Sequence, residues 1–138
     1  MKSDSAPHIL VLCLVLAMFA GAVVLTPPKA GGQNVALGRF LIPPLCIVKR
    51  NTGIDCPGCG LTRSWISAVH GKLYDSLGYH RLGWLTMVYA ALQALRHGIW
   101  LAVPKSRERL GKWGACLDRG IVLLAAMLLV NWLLVLFA

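Results

Sequence analysis

Two stretches of this chain carry no charged side chain: residues 5–28 and residues 121–138. The second is 18 residues long. As a helix it rises about 27 Å, close to the roughly 30 Å thickness of a bilayer's hydrocarbon core. Such runs restrict a chain of 138 residues to few folds. Hydrophobic residues make up 57% and charged residues 14%, whereas a soluble domain carries about 25% charge. The composition excludes an ordinary soluble globule, a disordered chain and a fibrous one. It points to a single integral membrane domain.

Three membrane spans are predicted. The first covers residues 9–25 and is stopped by Pro27-Pro28. Its rival is a cleaved signal peptide over residues 1–22, with Lys2 as the basic start and Ala20-Gly21-Ala22 as the small-residue cleavage site. The apolar run continues past that site through Val23, Val24 and Leu25, which favours a retained helix. The second span covers residues 82–103 and ends at Pro104. Gln93, Arg96 and His97 interrupt it. The third covers residues 121–138.

Lys and Arg number 14 against 5 Asp and Glu, a net charge of +9. These cations lie between the apolar runs, so they read as membrane orientation signals and not as a nucleic-acid surface. Residues 104–120 form a short connection with five of them: Lys105, Arg107, Arg109, Lys112 and Arg119. Short basic loops stay in the cytoplasm. The N-terminus is therefore expected inside, with the loop of residues 26–81 and the C-terminus outside. The lipid bilayer is the first partner. Another membrane protein or a second copy of the chain is the next.

Thr86, Tyr89, Gln93, Arg96, His97 and Trp100 recur at steps of three and four, so the second span has a polar face. Polar groups at membrane depth face protein or a cavity. The face is either a substrate or proton path or, at its inner end, a place where Arg96 and His97 snorkel to the surface. Gln93 and Asn131 each lie ten residues from the inner end of their predicted span, about 15 Å deep by helix rise. Their amides are expected to pair. Ala17, Gly21, Ala90, Ala94, Ala125 and Ala126 are small residues that let helices approach closely.

The outer loop holds the chemistry. Residues 26–33 are rich in Pro and Gly and read as turns. Residues 35–42 are a short apolar strand or surface segment, closed by Pro43-Pro44. Leu61, Trp65, Ala68 and Val69 form a helical stripe with Ile66 alongside, and Arg63, Ser64 and Ser67 are expected opposite it. Gly71 stops this helix. Leu73, Tyr74 and Leu77 mark a second short helix. Trp65, Tyr74, Tyr79 and Trp84 are the aromatics of a membrane interface, along which both helices are expected to lie.

Between these segments stands Cys56-Pro57-Gly58-Cys59-Gly60. It admits three readings. Two thiolates two residues apart are half of a zinc site, with Cys46 as the third ligand and the fourth from His80, His70 or a second copy of the chain. His70 is a poorer fourth, because a helix from Leu61 carries it about 15 Å away. A Cys-x-x-Cys at a helix start is also a redox pair whose thiolate the helix dipole favours. Lastly, Pro57, Gly58 and Gly60 make a tight turn that seats the helix, with the thiols incidental or joined. Five cysteines is an odd number, so at least one is not joined within the chain. Cys13 is expected against lipid or packed in the first span, and Cys116 as a reduced thiol in the inner loop.

The run Cys46, Thr52-Gly53, Cys56-Pro57-Gly58-Cys59-Gly60-Leu61-Thr62-Arg63 and His70-Gly71 resembles small bacterial membrane proteins grouped as a domain of unknown function, DUF2752. The resemblance covers residues 45–85 and puts Cys46, Cys56, Cys59, Thr62, Arg63 and His70 on the family's recurrent positions. The family usually has Asn-Pro where this chain has His80-Arg81, which counts against His80 as a shared ligand. The resemblance implies no activity. The expected architecture is an all-α membrane protein with three spans and a cysteine-bearing outer loop. The expected role is non-catalytic: an accessory or assembly component whose loop binds a structural metal or docks a partner. A membrane thiol-disulfide oxidoreductase using Cys56 and Cys59, and a carrier of lipid or small solutes, are the alternatives. Arg63 is expected to anchor a lipid phosphate or the carbonyls beside the cysteine turn.

Overall fold

The computed structural model describes residues 5–28, 32, 34–43, 46–53 and 56–137. Lys2, Pro44 and Ala138, which figure in the sequence reading, lie outside the described residues. Six α-helices are described: α1 (Ala6–Val24), α2 (Ile47–Thr52), α3 (Leu61–Val69), α4 (Leu73–Tyr79), α5 (Gly83–Ala102) and α6 (Arg107–Phe137). The chain is mostly helical. It is not all-α, because β1 (Val35–Leu37) and β2 (Phe40–Ile42) form an antiparallel hairpin. Gly38, at φ 60°, opens its two-residue turn, as a tight hairpin turn requires. Thr26 pairs with Ala36, which pins the hairpin to the end of α1.

Helices α1 (Ala6–Val24) and the Trp113–Phe137 part of α6 are long and apolar enough to cross a membrane. Apolar side chains along both are left uncovered. Leu10, Leu14, Leu16, Val122, Leu123 and Leu134 are all exposed. Soluble proteins rarely expose apolar surface on this scale.

Helix α5 runs antiparallel to α1 along its length. At one end His8 stacks on Trp100, with ring centroids 3.8 Å apart, and its Nδ1 lies 2.6 Å from Nδ1 of His97. Near the other end Phe19 packs on Trp65 of α3. The Trp65 indole N–H donates to Thr86 Oγ1 at 2.9 Å.

The polar face of α5 is filled by protein. Thr86, Gln93 and His97 are buried. Tyr89 donates to the Leu117 carbonyl, and Arg96 pairs with Asp118 at 2.7 Å. The Arg96 side chain is 13% exposed and reaches outward to the carboxylate of Asp118, which is 62% exposed.

Two further expectations are corrected. The predicted inner loop of residues 104–120 is helical from Arg107 onward; only a 3-10 turn, Pro104–Ser106, separates α5 from α6. Gly111, Gly114 and Gly120 do not break it, and at Gly114 a Cβ would collide with the Arg96 guanidinium. Because α6 starts at once after the turn, Gln93 faces the early part of α6 and not Asn131. The Gln93 amide N–H donates to Tyr89 Oη at 2.8 Å, and its carbonyl accepts from Arg96. Asn131 sits far along α6, beside Tyr79, His80 and Arg81.

Helix α3 also turns differently from expectation. Ser64 and Ser67 are fully buried beside Trp65 and Ile66. Their small side chains admit α4 and α5: Ser64 Oγ meets Ser76 Oγ at 2.8 Å, and Gly83 packs directly on Ser64. The predicted stop holds. Gly71, at φ 77°, closes α3 with Lys72 N–H on the Ser67 carbonyl and Gly71 N–H on the Ala68 carbonyl, the paired bonds of a glycine-terminated helix.

Candidate metal centre

Three cysteines that are far apart in kind of local structure meet at one point. Cys46 is the N-cap of α2, and its sulfur accepts from Lys49 N–H at 3.5 Å. Cys56 opens the turn before α3, closed by Cys59 N–H on the Cys56 carbonyl. Gly60 then caps α3 at φ 89°, a left-handed conformation favoured only for glycine. No side chain fits there anyway, because a Cβ would strike the Tyr79 carbonyl. That close approach brings the end of α4 against the cysteine turn.

The three sulfurs lie within 4.8 Å of one another, and those of Cys46 and Cys56 are 3.4 Å apart. A metal held at about 2.3 Å from each thiolate needs that kind of triangle. None of the five cysteines is joined in a disulfide. Among the described residues this is the one cluster of three or more His, Cys, Asp or Glu side chains able to share an ion.

His80, the predicted fourth ligand, stands beside the trio without joining it. It is buried, at 7% exposure. Nδ1 accepts from Leu82 N–H at 3.2 Å, and Nε2 lies 3.1 Å from the Pro57 carbonyl. An Nδ1 that accepts leaves the proton on Nε2, which donates to Pro57. Both ring nitrogens are therefore spent on backbone, and the ring fixes the turn between Cys56 and Cys59. The expectation erred because sequence spacing brought the ring close without revealing which way its nitrogens face.

His70 is far from the sulfurs in role as well as position: exposed, it bonds the Ile66 carbonyl at the end of α3. Thr62 is exposed on the first turn of α3. Arg63 is half-buried, and no hydrogen bond joins it to a backbone carbonyl among the described residues. Its guanidinium lies 4.0 Å from Cys59 Sγ and 5.4 Å from the Tyr79 ring centroid.

The thiols are not equivalent. The Lys49 N–H, and then the Cys56 side chain, hold the Cys46 thiol below its ordinary range. Burial, and then the Cys46 side chain, push the Cys56 thiol up. A redox pair led by Cys56 needs the opposite arrangement. A cavity of about 390 Å³ opens on one side of the trio, walled by Leu25, Val35, Ile42 and Arg63.

Sequence reasoning missed Lys49 and the backbone roles of Pro57 and Tyr79 in the site. Their contributions are a backbone N–H, a carbonyl and a close approach to Gly60, which leave no compositional trace. Cys13 and Cys116 are exposed and remote from the cluster.

Residues 46–94 match the family model described as a protein of unknown function, DUF2752. That segment belongs to the family. No curated protein and no solved structure matches the chain. The DUF2752 segment starts at the first cysteine of the trio. It contains all three cysteines, Arg63, His80 and the α5 positions Thr86 and Gln93 that lock the helices together.

Proposed function

We propose that this is a small three-span membrane protein whose Cys46, Cys56 and Cys59 thiolates bind one soft metal ion at the outer membrane face. The carrying observation is the convergence of three sulfurs from two separate helix starts. Soft thiolate sets select zinc, monovalent copper or iron–sulfur chemistry. A structural zinc is closed by four ligands, so zinc here takes its fourth from water or a partner protein. Bound metal would cross-link α2 to α3 and hold the loop rigid for docking.

The third span is α5. Its 20 residues match α1 end to end, with His8 at Trp100 and Phe19 at Trp65 near Thr86. Thr86, Tyr89, Gln93, Arg96 and His97 each have a protein partner, as lipid demands. On this reading α3 and α4 lie at the outer surface, and the basic start of α6 lies inside.

The test is elemental analysis of the full chain purified in detergent. One metal ion per chain, lost in Cys46→Ser, Cys56→Ser and Cys59→Ser alike, is expected. Metal-free protein with all three thiols open to alkylation overturns the metal reading. A reversible Cys56–Cys59 bond in that protein would support the oxidoreductase. Membrane-impermeant maleimide should reach Cys116 only from the cytoplasmic side; labelling from outside overturns the topology.

A further inference from the structure

On the far side of Cys56 and Cys59 lies a second cavity, of about 570 Å³. It sits between the extramembrane helices and the C-terminal part of α6. Lys49, Arg63 and Arg81 line it, and no Asp or Glu does among the described residues. Arg63 is engaged by Cys59 and Tyr79. Arg81 has no ion-pair partner among the described residues. Asn131 enters the cavity from α6, and its amide has no hydrogen-bond partner among the described residues.

Arg favours oxyanions that accept two parallel bonds, and the Asn131 amide adds a neutral donor. The opposite wall is apolar, formed by Leu77, Trp132 and Val135. Trp132 and Val135 belong to the membrane-length part of α6. A cationic rim above an apolar wall at a membrane-length helix matches the basic pockets that take lipid headgroups. The volume falls within the roughly 300–1,000 Å³ of small-molecule sites, more than a bare inorganic anion fills.

We infer that this cavity binds a phosphate ester, with its phosphate between Arg81 and Asn131 and its carbon part against Trp132 and Val135. A phospholipid headgroup and a soluble phosphate are the two sources of that chemistry. The site needs no metal at the sulfur trio.

Native mass spectrometry of the full chain in nonionic detergent tests it, with phosphatidylglycerol, phosphatidylcholine and inorganic phosphate as probes and metal content read on the same samples. Phosphatidylglycerol is expected to bind in preference to phosphatidylcholine. Loss of one charge-assisted bond in Arg81→Gln should weaken it roughly tenfold. Asn131→Ala, a second variant on a different element, should weaken it too. Binding of inorganic phosphate that Arg81→Gln weakens, with neither lipid preferred, supports the phosphate site and assigns it to a soluble ligand. Phosphatidylglycerol binding unchanged in both variants, or no binding of any probe, overturns the inference. Neither residue touches a cysteine sulfur, so metal loss with lipid binding intact counts against the metal centre alone.

Discussion

His80 suspends the cysteine turn from the start of α5. Its Nε2 holds the Pro57 carbonyl at 3.1 Å while its Nδ1 receives the Leu82 N–H at 3.2 Å. Removing such an outer support typically weakens metal binding about 10–100-fold. His80→Ala is expected to do so with the metal-to-chain ratio unchanged, read by chelator competition. X-ray absorption should show sulfur neighbours and no nitrogen that disappears with His80. A lost imidazole signal would make His80 a ligand.

In metal-free, reduced protein the two neighbouring thiols should titrate in a set order. Thiolate is the species that alkylates. The Lys49 N–H lowers the Cys46 thiol, and burial raises Cys56. At any pH between their midpoints Cys46 carries more thiolate, so it reacts first as pH rises. Peptide-resolved alkylation rates across the neutral and alkaline range check this. Equal profiles would mean that α2 does not cap on Cys46.

Two glycines separate backbone strain from collision. Gly53 has φ 74° with open space around it, so Gly53→Ala should cost about 1 kcal/mol, the left-handed penalty alone. Gly60 has φ 89° and the Tyr79 carbonyl against it. Gly60→Ala should cost about 3 kcal/mol and loosen α4 from the cysteine turn. Thermal unfolding in detergent, run on both variants together, gives the comparison.

The serines of α3 differ in the same way. Ser67 Oγ is buried without a hydrogen-bond partner, so Ser67→Ala should be neutral or slightly stabilising. Ser64 Oγ pairs with Ser76 at 2.8 Å. Ser64→Ala strands that hydroxyl and should cost about 1–2 kcal/mol. Equal effects of the two changes would contradict the packing of α3 on α4.

Much of the helical layout was legible in the chain. The charge gap ahead of Pro27-Pro28 marks α1, and the spacing of Leu61, Trp65 and Val69 before Gly71 marks α3. Within the site, the Cys-x-x-Cys spacing and its glycine pointed to a turn at a helix start. The face of α3 was read wrongly because serine is polar by type yet small enough to be buried where helices meet. Asp118 gave no local signal because its partner Arg96 lies on another helix, 22 positions away in sequence.

Local rules reach only as far as one helix turn or one hydrogen-bonded loop. Periodicity, charge gaps and glycine stops act over that range, so the sequence alone determined α1, α3, α4 and α5 and the apolar character of α1 and the end of α6. Tertiary packing decided what those helices share. It joined Cys46 to Cys56 and Cys59, turned His80 to the backbone, and slid Asn131 away from Gln93. Each outcome depends on how neighbouring elements register against each other, and that register follows from side-chain volumes meeting at Gly60, Gly83 and Gly114, where no local pattern records the partner.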